Sequence, residues 1–291
     1  MSLSLLLEQI LNGIILGSMY ALMGGGLALI YGTLRILNFA HGEFFMLGGF
    51  GIFFLYAQMG MSPFLAIPLA VLMVAFVGML FQRLTVHYLV KKDGWAFSTI
   101  AATLGFSIML QNLALILWGE RFQPVPYYIE GTLSVGDLRM AYQRLLVLAV
   151  ASVALMAMAF MLRYSRLGQA IRATAQDSEA ASVVGVPTAH IRAITFGLGA
   201  GLAALAATML SPLYAVSPWM GIPLMLKAFA VVILGGLGSF TGAIIAGFAL
   251  GIVEAIGVTL TAAEWRDVIS FTFLIIFIWI RPWGLFGTAE Q

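Results

Sequence analysis

Cysteine is missing altogether from the 291 residues. Disulfides, thiol nucleophiles and cysteine-ligated metals are therefore excluded. Histidine is scarce: only His41, His87 and His190 occur, no two at ligand spacing, so no metal site is expected. Charged residues make up 9%, against about 25% in soluble domains. A net charge of +2, with no basic run longer than Lys91-Lys92, argues against a nucleic-acid partner. No stretch is polar enough for a soluble domain. The signatures Gly-x-Ser-x-Gly, His-Glu-x-x-His and Gly-Lys-Ser/Thr do not occur. The chain is therefore not expected to be an enzyme, and any ATP hydrolysis must come from another chain.

What is present is apolar: 62% of residues are hydrophobic, the composition of a polytopic all-α membrane protein. Apolar segments bounded by polar breaks predict spans near 5–31, 43–60, 63–82, 95–118, 143–162, 191–214, 223–238, 240–260 and 268–281. That makes about nine, with eight to ten compatible with the length. The opening run lacks a basic n-region and carries Glu8, Gln9 and Asn12, so it is read as a retained first span, not a cleaved signal.

Basic residues are retained on the cytoplasmic side. With nine spans and the N-terminus outside, inner segments hold Arg35, Arg83, Lys91, Lys92, Arg163, Arg166, Arg172, Arg192 and Arg281. Outer segments hold Arg121, Arg139, Arg144 and Arg266. Two connections are long. The outer one, 119–142, carries Pro124, Pro126, Tyr127 and Tyr128 and predicts a compact interfacial loop. It also balances Arg121 and Arg139 against Glu120, Glu130 and Asp137.

The inner one, 163–192, predicts two short helices. Leu167, Ala170, Ile171 and Thr174 recur at three-and-four spacing beside Arg163, Arg166 and Arg172. Asp177 or Ser178 can cap a second helix over 178–184, Gly185 suits its left-handed end, and Pro187 prevents continuation. On these residues alone, a helix lying on the membrane surface is an equal reading.

Glu179-Ala180-Ala181 followed by Gly185 resembles the Glu-Ala-Ala-x-x-x-Gly loop of permease subunits in bacterial ABC importers. The distal part departs from that pattern, since Ile194 stands near the expected position but no Leu-Pro follows. Residues 17–49, "GSMYALMGGGLALIYGTLRILNFAHGEFFMLGG", and 226–255, "LKAFAVVILGGLGSFTGAIIAGFALGIVEA", resemble the N- and C-terminal signatures of permeases that import branched-chain amino acids. The resemblance covers nearly the whole chain. It implies one permease domain over 1–291 in the bacterial inner membrane, with 163–192 as its coupling loop. Arg166, Arg172, Asp177, Glu179, Ala180, Ala181 and Gly185 would then face an ATPase. The implied partners are a homologous second permease, two cytoplasmic ATPase subunits that hold the ATP and Mg, a periplasmic substrate-binding protein and membrane lipid. This chain would bind no cofactor. Relatives that handle urea or short amides leave those substrates as the alternative to leucine, isoleucine and valine. An ion-coupled secondary transporter is a further rival.

Charges at membrane depth are expensive, about 2.5–3.5 kcal/mol each on insertion scales, so those within the spans mark candidate sites. Arg35 reads as a cytoplasmic anchor. Asn38, His41, Gly42 and Glu43 predict a turn and helix start near the cytoplasmic gate. There they would act as a hinge or packing element, with direct substrate contact as the lesser alternative. Lys227 and Glu254 are expected to snorkel toward the outer surface, or else to hold a charged end of a zwitterionic substrate. Glycine is abundant, at 32 residues. Gly24-Gly25-Gly26, Gly197 with Gly201, Gly238 with Gly242, and Gly247 with Gly251 predict close helix packing. Gly235, Gly236, Gly238 and Gly242 are dense enough to break a helix and offer its backbone to a substrate.

Overall fold

The computed structural model describes residues 3–90, 95–135 and 138–287. Lys91, Lys92 and Asp137, used in the charge reading above, lie outside the described residues. The chain forms α1 (Leu3–Leu34), α2 (His41–Ile52), α3 (Pro63–Phe81), α4 (His87–Leu89), α5 (Trp95–Trp118) and α6 (Tyr142–Tyr164). It continues with α7 (Arg166–Gln176), α8 (Ser178–Val183), α9 (Thr188–Leu210), α10 (Gly221–Gly235), α11 (Phe240–Leu260) and α12 (Arg266–Ile280). Two π-helical turns, Phe53–Gln58 and Gln82–Val86, extend α2 and α3. The loop before α6 holds an antiparallel hairpin of β1 (Thr132–Val135) and β2 (Leu138–Ala141), pairing Thr132 with Ala141, which the all-helical expectation omitted.

Six helices among the described residues are long and apolar enough to cross a membrane: Leu6–Leu34, Pro63–Leu89, Trp95–Trp118, Tyr142–Tyr164, Thr188–Leu210 and Phe240–Leu260. The other apolar segments expected to span are shorter. α10 and α12 have 15 residues each. At about 1.5 Å per residue that is about 22 Å, less than a hydrocarbon core of about 30 Å. The α-helical, membrane-crossing architecture is as expected, whereas the count of about nine full spans is not confirmed.

α1 and α9 form the buried centre, while α3, α5 and α6 expose apolar faces such as Leu72, Ile108 and Met156. Small residues permit that centre. A Cβ on Gly251 would stand 2.4 Å from the Gly17 Cα, and one on Gly26 would stand 2.6 Å from the Gly199 carbonyl oxygen. The expected close packing at Gly26, Gly247 and Gly251 is therefore present.

The described basic residues assigned inside, Arg35, Arg83, Arg163, Arg166, Arg172, Arg192 and Arg281, gather at one end, near Gly32, Gly238 and the 165–190 loop. The positive-inside rule assigns this end to the cytoplasm. At the opposite end the outer loop is pinned down: Gln123 pairs with Val216, and the Tyr128 hydroxyl donates to the Thr208 carbonyl at 2.6 Å. Burial, reinforced by Tyr56, pushes the Tyr128 hydroxyl far above its ordinary pKa, so it remains a donor.

Candidate functional site

The 35–43 stretch is not a cytoplasmic turn. The chain leaves α1 through Arg35, the one non-glycine among the described residues with a positive φ, +56°. It then runs extended back into the bundle. His41 Nε2 lies 3.0 Å from the Met23 carbonyl oxygen, about 16 Å along α1 from its Leu34 end. Asn38, His41 and Glu43 are all buried. Asn38 builds the turn: its Oδ1 accepts from the Ala40 amide at 3.1 Å and its carbonyl from the His41 amide at 3.3 Å. Non-helical backbone at this depth survives because protein covers it.

α10 begins at the same depth. Gly42 and Gly221 meet backbone to backbone: a Cβ on Gly42 would lie 2.5 Å from the Gly221 oxygen, and one on Gly221 would lie 2.2 Å from the Gly42 oxygen. Two helix starts therefore oppose each other inside the bundle, and Gly42→Ala is expected to cost about 1–3 kcal/mol through overpacking. A thermal-unfolding series in detergent would show it; an unchanged midpoint would contradict the contact. Glu43 is held by the Ser107 hydroxyl of α5, which donates to Oε1 at 3.0 Å. Among the described residues Glu43 Oε2, His41 Nδ1 and Asn38 Nδ2 have no hydrogen-bond partner.

Lys227 and Glu254 do not snorkel. They pair with each other at 2.8 Å, with Lys227 3% exposed and Glu254 fully buried. Lys227 also donates to Ser270 at 2.6 Å and pairs with Asp267 at 2.9 Å. The Tyr20 hydroxyl donates to Glu254 Oε1 at 2.9 Å, and Arg266 Nε stands 3.4 Å from the same oxygen. Two cations and two anions from α10, α11 and α12 thus form a neutral cluster, which α1 completes through Tyr20. Each charge finds a partner closer than bulk water, so snorkelling loses its advantage. Asp267, with its side chain 66% exposed, is the open edge of the cluster.

Beside the cluster lies a cavity of about 240 Å³. Leu16, Phe45, Leu210, Met220 and Leu224 form its apolar wall; Tyr20, Lys227, Arg266 and Asp267 form its polar side. Phe45 and Met220 bring the two opposed helix starts to its wall. A second cavity of about 340 Å³, nearer the outer end, shares Leu16, Leu210, Tyr214 and Arg266 and reaches Glu254. The 235–242 glycines, by contrast, stand apart from both cavities. They do break the helix, with φ of +98° at Gly236 and +85° at Gly238, but they do so against Gly32 at the cytoplasmic end. Gly235 and Gly242 are consumed in packing against each other.

The 165–187 loop is ordered by its own side chains. Ser165 Oγ accepts from the Gly168 amide at 2.9 Å and starts α7. Asp177 Oδ1 accepts from the Glu179 and Ala180 amides at 2.9 and 3.0 Å and starts α8. Gly185 closes α8 at φ +88°, and Arg192 reaches back from α9 to Ser178 Oγ at 2.7 Å. Arg166, Arg172, Asp177, Glu179, Ala180 and Gly185 are exposed, whereas Ala181 is buried against the bundle. Asp177→Ala is expected to cost about 1 kcal/mol, raising amide exchange in 178–183 and leaving α9 unchanged. Val183 and Val184, 87% and 78% exposed, are apolar residues at this surface that the motif reading passed over. Two adjacent valines just before a glycine in a polar loop were the available signal.

A helical bundle with half-length helices meeting at membrane depth, a charge-balanced cavity and an ordered cytoplasmic loop is that of a multi-pass membrane permease. The chain belongs to the family described as "Branched-chain amino acid transport system / permease component", whose model matches residues 9–278. It is a multi-pass protein of the inner membrane. It is 34% identical to the high-affinity branched-chain amino acid transport system permease protein LivH of Escherichia coli (strain K12), over 98% of this chain and 96% of that protein. It is 32% identical to the corresponding permease BraD of Pseudomonas aeruginosa, with the same coverage of each. Among solved structures, PsaBC from Streptococcus pneumoniae in complex with Fab superposes with a TM-score of 0.52 at 13% identity. That match covers 93% of this chain and 91% of the other, a likeness of fold alone.

Proposed function

We propose that residues 1–291 form one permease domain of an ABC importer that moves leucine, isoleucine and valine inward. The carrying observation is 34% and 32% identity, over 98% of the chain, to permeases named for branched-chain amino acids. The cavity chemistry supports the same reading. Leu16, Phe45, Leu210, Met220 and Leu224 suit an aliphatic side chain. A zwitterion can exchange into the neutral cluster, its carboxylate taking Lys227 or Arg266 and its ammonium taking Asp267, without leaving a net buried charge. Urea and short amides carry no such charges, which favours the amino acids over them.

Energy comes from two separate ATPase subunits, which hold the ATP and Mg and dock on the 163–192 loop through Glu179, Ala180, Val183 and Val184. A homologous second permease completes the passage, and a periplasmic binding protein delivers substrate at the outer loop. Reconstitution of the permease pair with ATPases and binding protein in lipid tests this. Leucine, isoleucine and valine are expected to stimulate ATP hydrolysis. Stimulation by urea or acetamide alone would overturn the substrate, and uptake driven by a proton gradient without any ATPase would overturn the mechanism.

A further inference from the structure

A third cavity, of about 430 Å³, lies at the cytoplasmic end between α1, α6, α7 and the start of α11. Its floor is apolar, with Leu29, Leu162 and Ile171, and its rim carries Arg163 and Arg172. No acidic residue lines it. Among the described residues neither arginine has a carboxylate partner; Arg163 stands 5.3 Å over the Tyr164 ring. Phe240 and Thr241, the first residues of the 21-residue α11, complete the rim; the last turns of α1, α6 and α7 also line it and oppose the partial charge of that helix start, so the two guanidinium groups carry the cavity's positive charge. On α6, the exposed residues Val153, Met156 and Phe160 run along the same helix face as Arg163, spaced by three or four residues. An exposed apolar track thus leads along α6 to a cationic pocket.

We propose that this cavity binds the phosphate-bearing headgroup of an anionic phospholipid of the inner leaflet, whose acyl chains lie along the α6 track. Basic pockets between helices on the cytoplasmic side recognise such headgroups by charge. A free phosphate would satisfy the same two guanidinium groups; the apolar track is what favours the lipid. Because Arg172 belongs to α7 and Arg163 to α6, a bound headgroup fastens the coupling loop to the bundle. The site stands independently of the transported substrate.

The test uses the full-length chain in the assembly in which it leaves the membrane, transferred to nanodiscs of phosphatidylglycerol and phosphatidylcholine. Native mass spectrometry then counts retained lipids. Phosphatidylglycerol is expected to be retained in preference, and Arg163→Gln with Arg172→Gln to cut that preference about tenfold. Ala159→Phe, which fills the cavity and keeps both charges, should do the same. Arg166→Gln, exposed but outside the lining, should leave it intact. Equal retention by the wild type and both cavity variants would overturn the site, and displacement by excess inorganic phosphate would overturn the lipid as its ligand. Loss of an associated cytoplasmic subunit with lipid retention unchanged would reassign the arginines to a protein contact.

Discussion

Lys227→Met is expected to destabilise the permease by about 3–5 kcal/mol, because it leaves the Glu254 carboxylate buried without its 2.8 Å partner. Arg266, at 3.4 Å and partly exposed, offsets the lower part of that range only. Glu254→Gln should cost less. With its amide oxygen in the place of Oε2 it still accepts from Ser270, its NH2 in the place of Oε1 donates to the Tyr20 hydroxyl, and Lys227 keeps Asp267 at the exposed edge. Combining the two substitutions removes both charges and should recover most of the loss, since neutral replacement of a buried pair is close to neutral in stability. Thermal unfolding in detergent ranks the three variants. A Lys227→Met midpoint equal to wild type would show that the pair is not buried as described. The folded double variant then separates two roles: loss of uptake supports zwitterion exchange at the cluster, and retained uptake would make the pair a fastener of α10 to α11 and α12.

Val183→Asp with Val184→Asp should abolish ATPase association while leaving the permease folded. The two valines are the apolar tip of α8 and contribute little to the core, so stability in isolation should change by less than about 0.5 kcal/mol. Inside an interface the same substitutions bury two unpaired carboxylates, each costing several kcal/mol, while each 1.4 kcal/mol is tenfold in affinity. Co-purification of the ATPase and substrate-stimulated hydrolysis should both fall below detection. Normal association would mean that the loop docks elsewhere. Glu179→Arg is expected to weaken association in the same direction but by less, because an exposed charge is screened.

Much of this was legible in the chain because its periodicities are local. Asp177 as a cap, Gly185 as a left-handed end and the helix break at Gly236–Gly238 follow from residue types at short spacing, and all three are present. Gly247 and Gly251 announced a close contact without saying with what; Ala21 and Gly17 of α1 are the answer. Depth was not legible. Hydropathy placed Asn38, His41 and Glu43 at the edge of a span because polar residues end apolar runs. It carries no information that a chain can turn at Arg35 and re-enter covered by α1 and α10. Pairing was not legible either: Lys227 and Glu254 are each costly in isolation, and each was therefore sent outward. The 27-residue separation that brings them together is set by the lengths of α10 and α11 and the break between them. The half-length helices misled the span count for the same reason, since 15 apolar residues look like a short crossing until their start is located.

The Gly42–Gly221 contact also sets an order of assembly. Residue 221 leaves the ribosome about 180 residues after Gly42, which at about 5–20 residues per second is about 10–40 s later. Through that interval the start of α2, with its open backbone amides and the side chains of Asn38, His41 and Glu43, has no α10 to seal it. The segment cannot rest in hydrocarbon in that condition, so α2 must be held by the insertion machinery or wait at the membrane surface until the C-terminal third arrives. Truncation before 221 should accordingly leave His41 reachable by water-borne modification reagents from which the finished protein shields it.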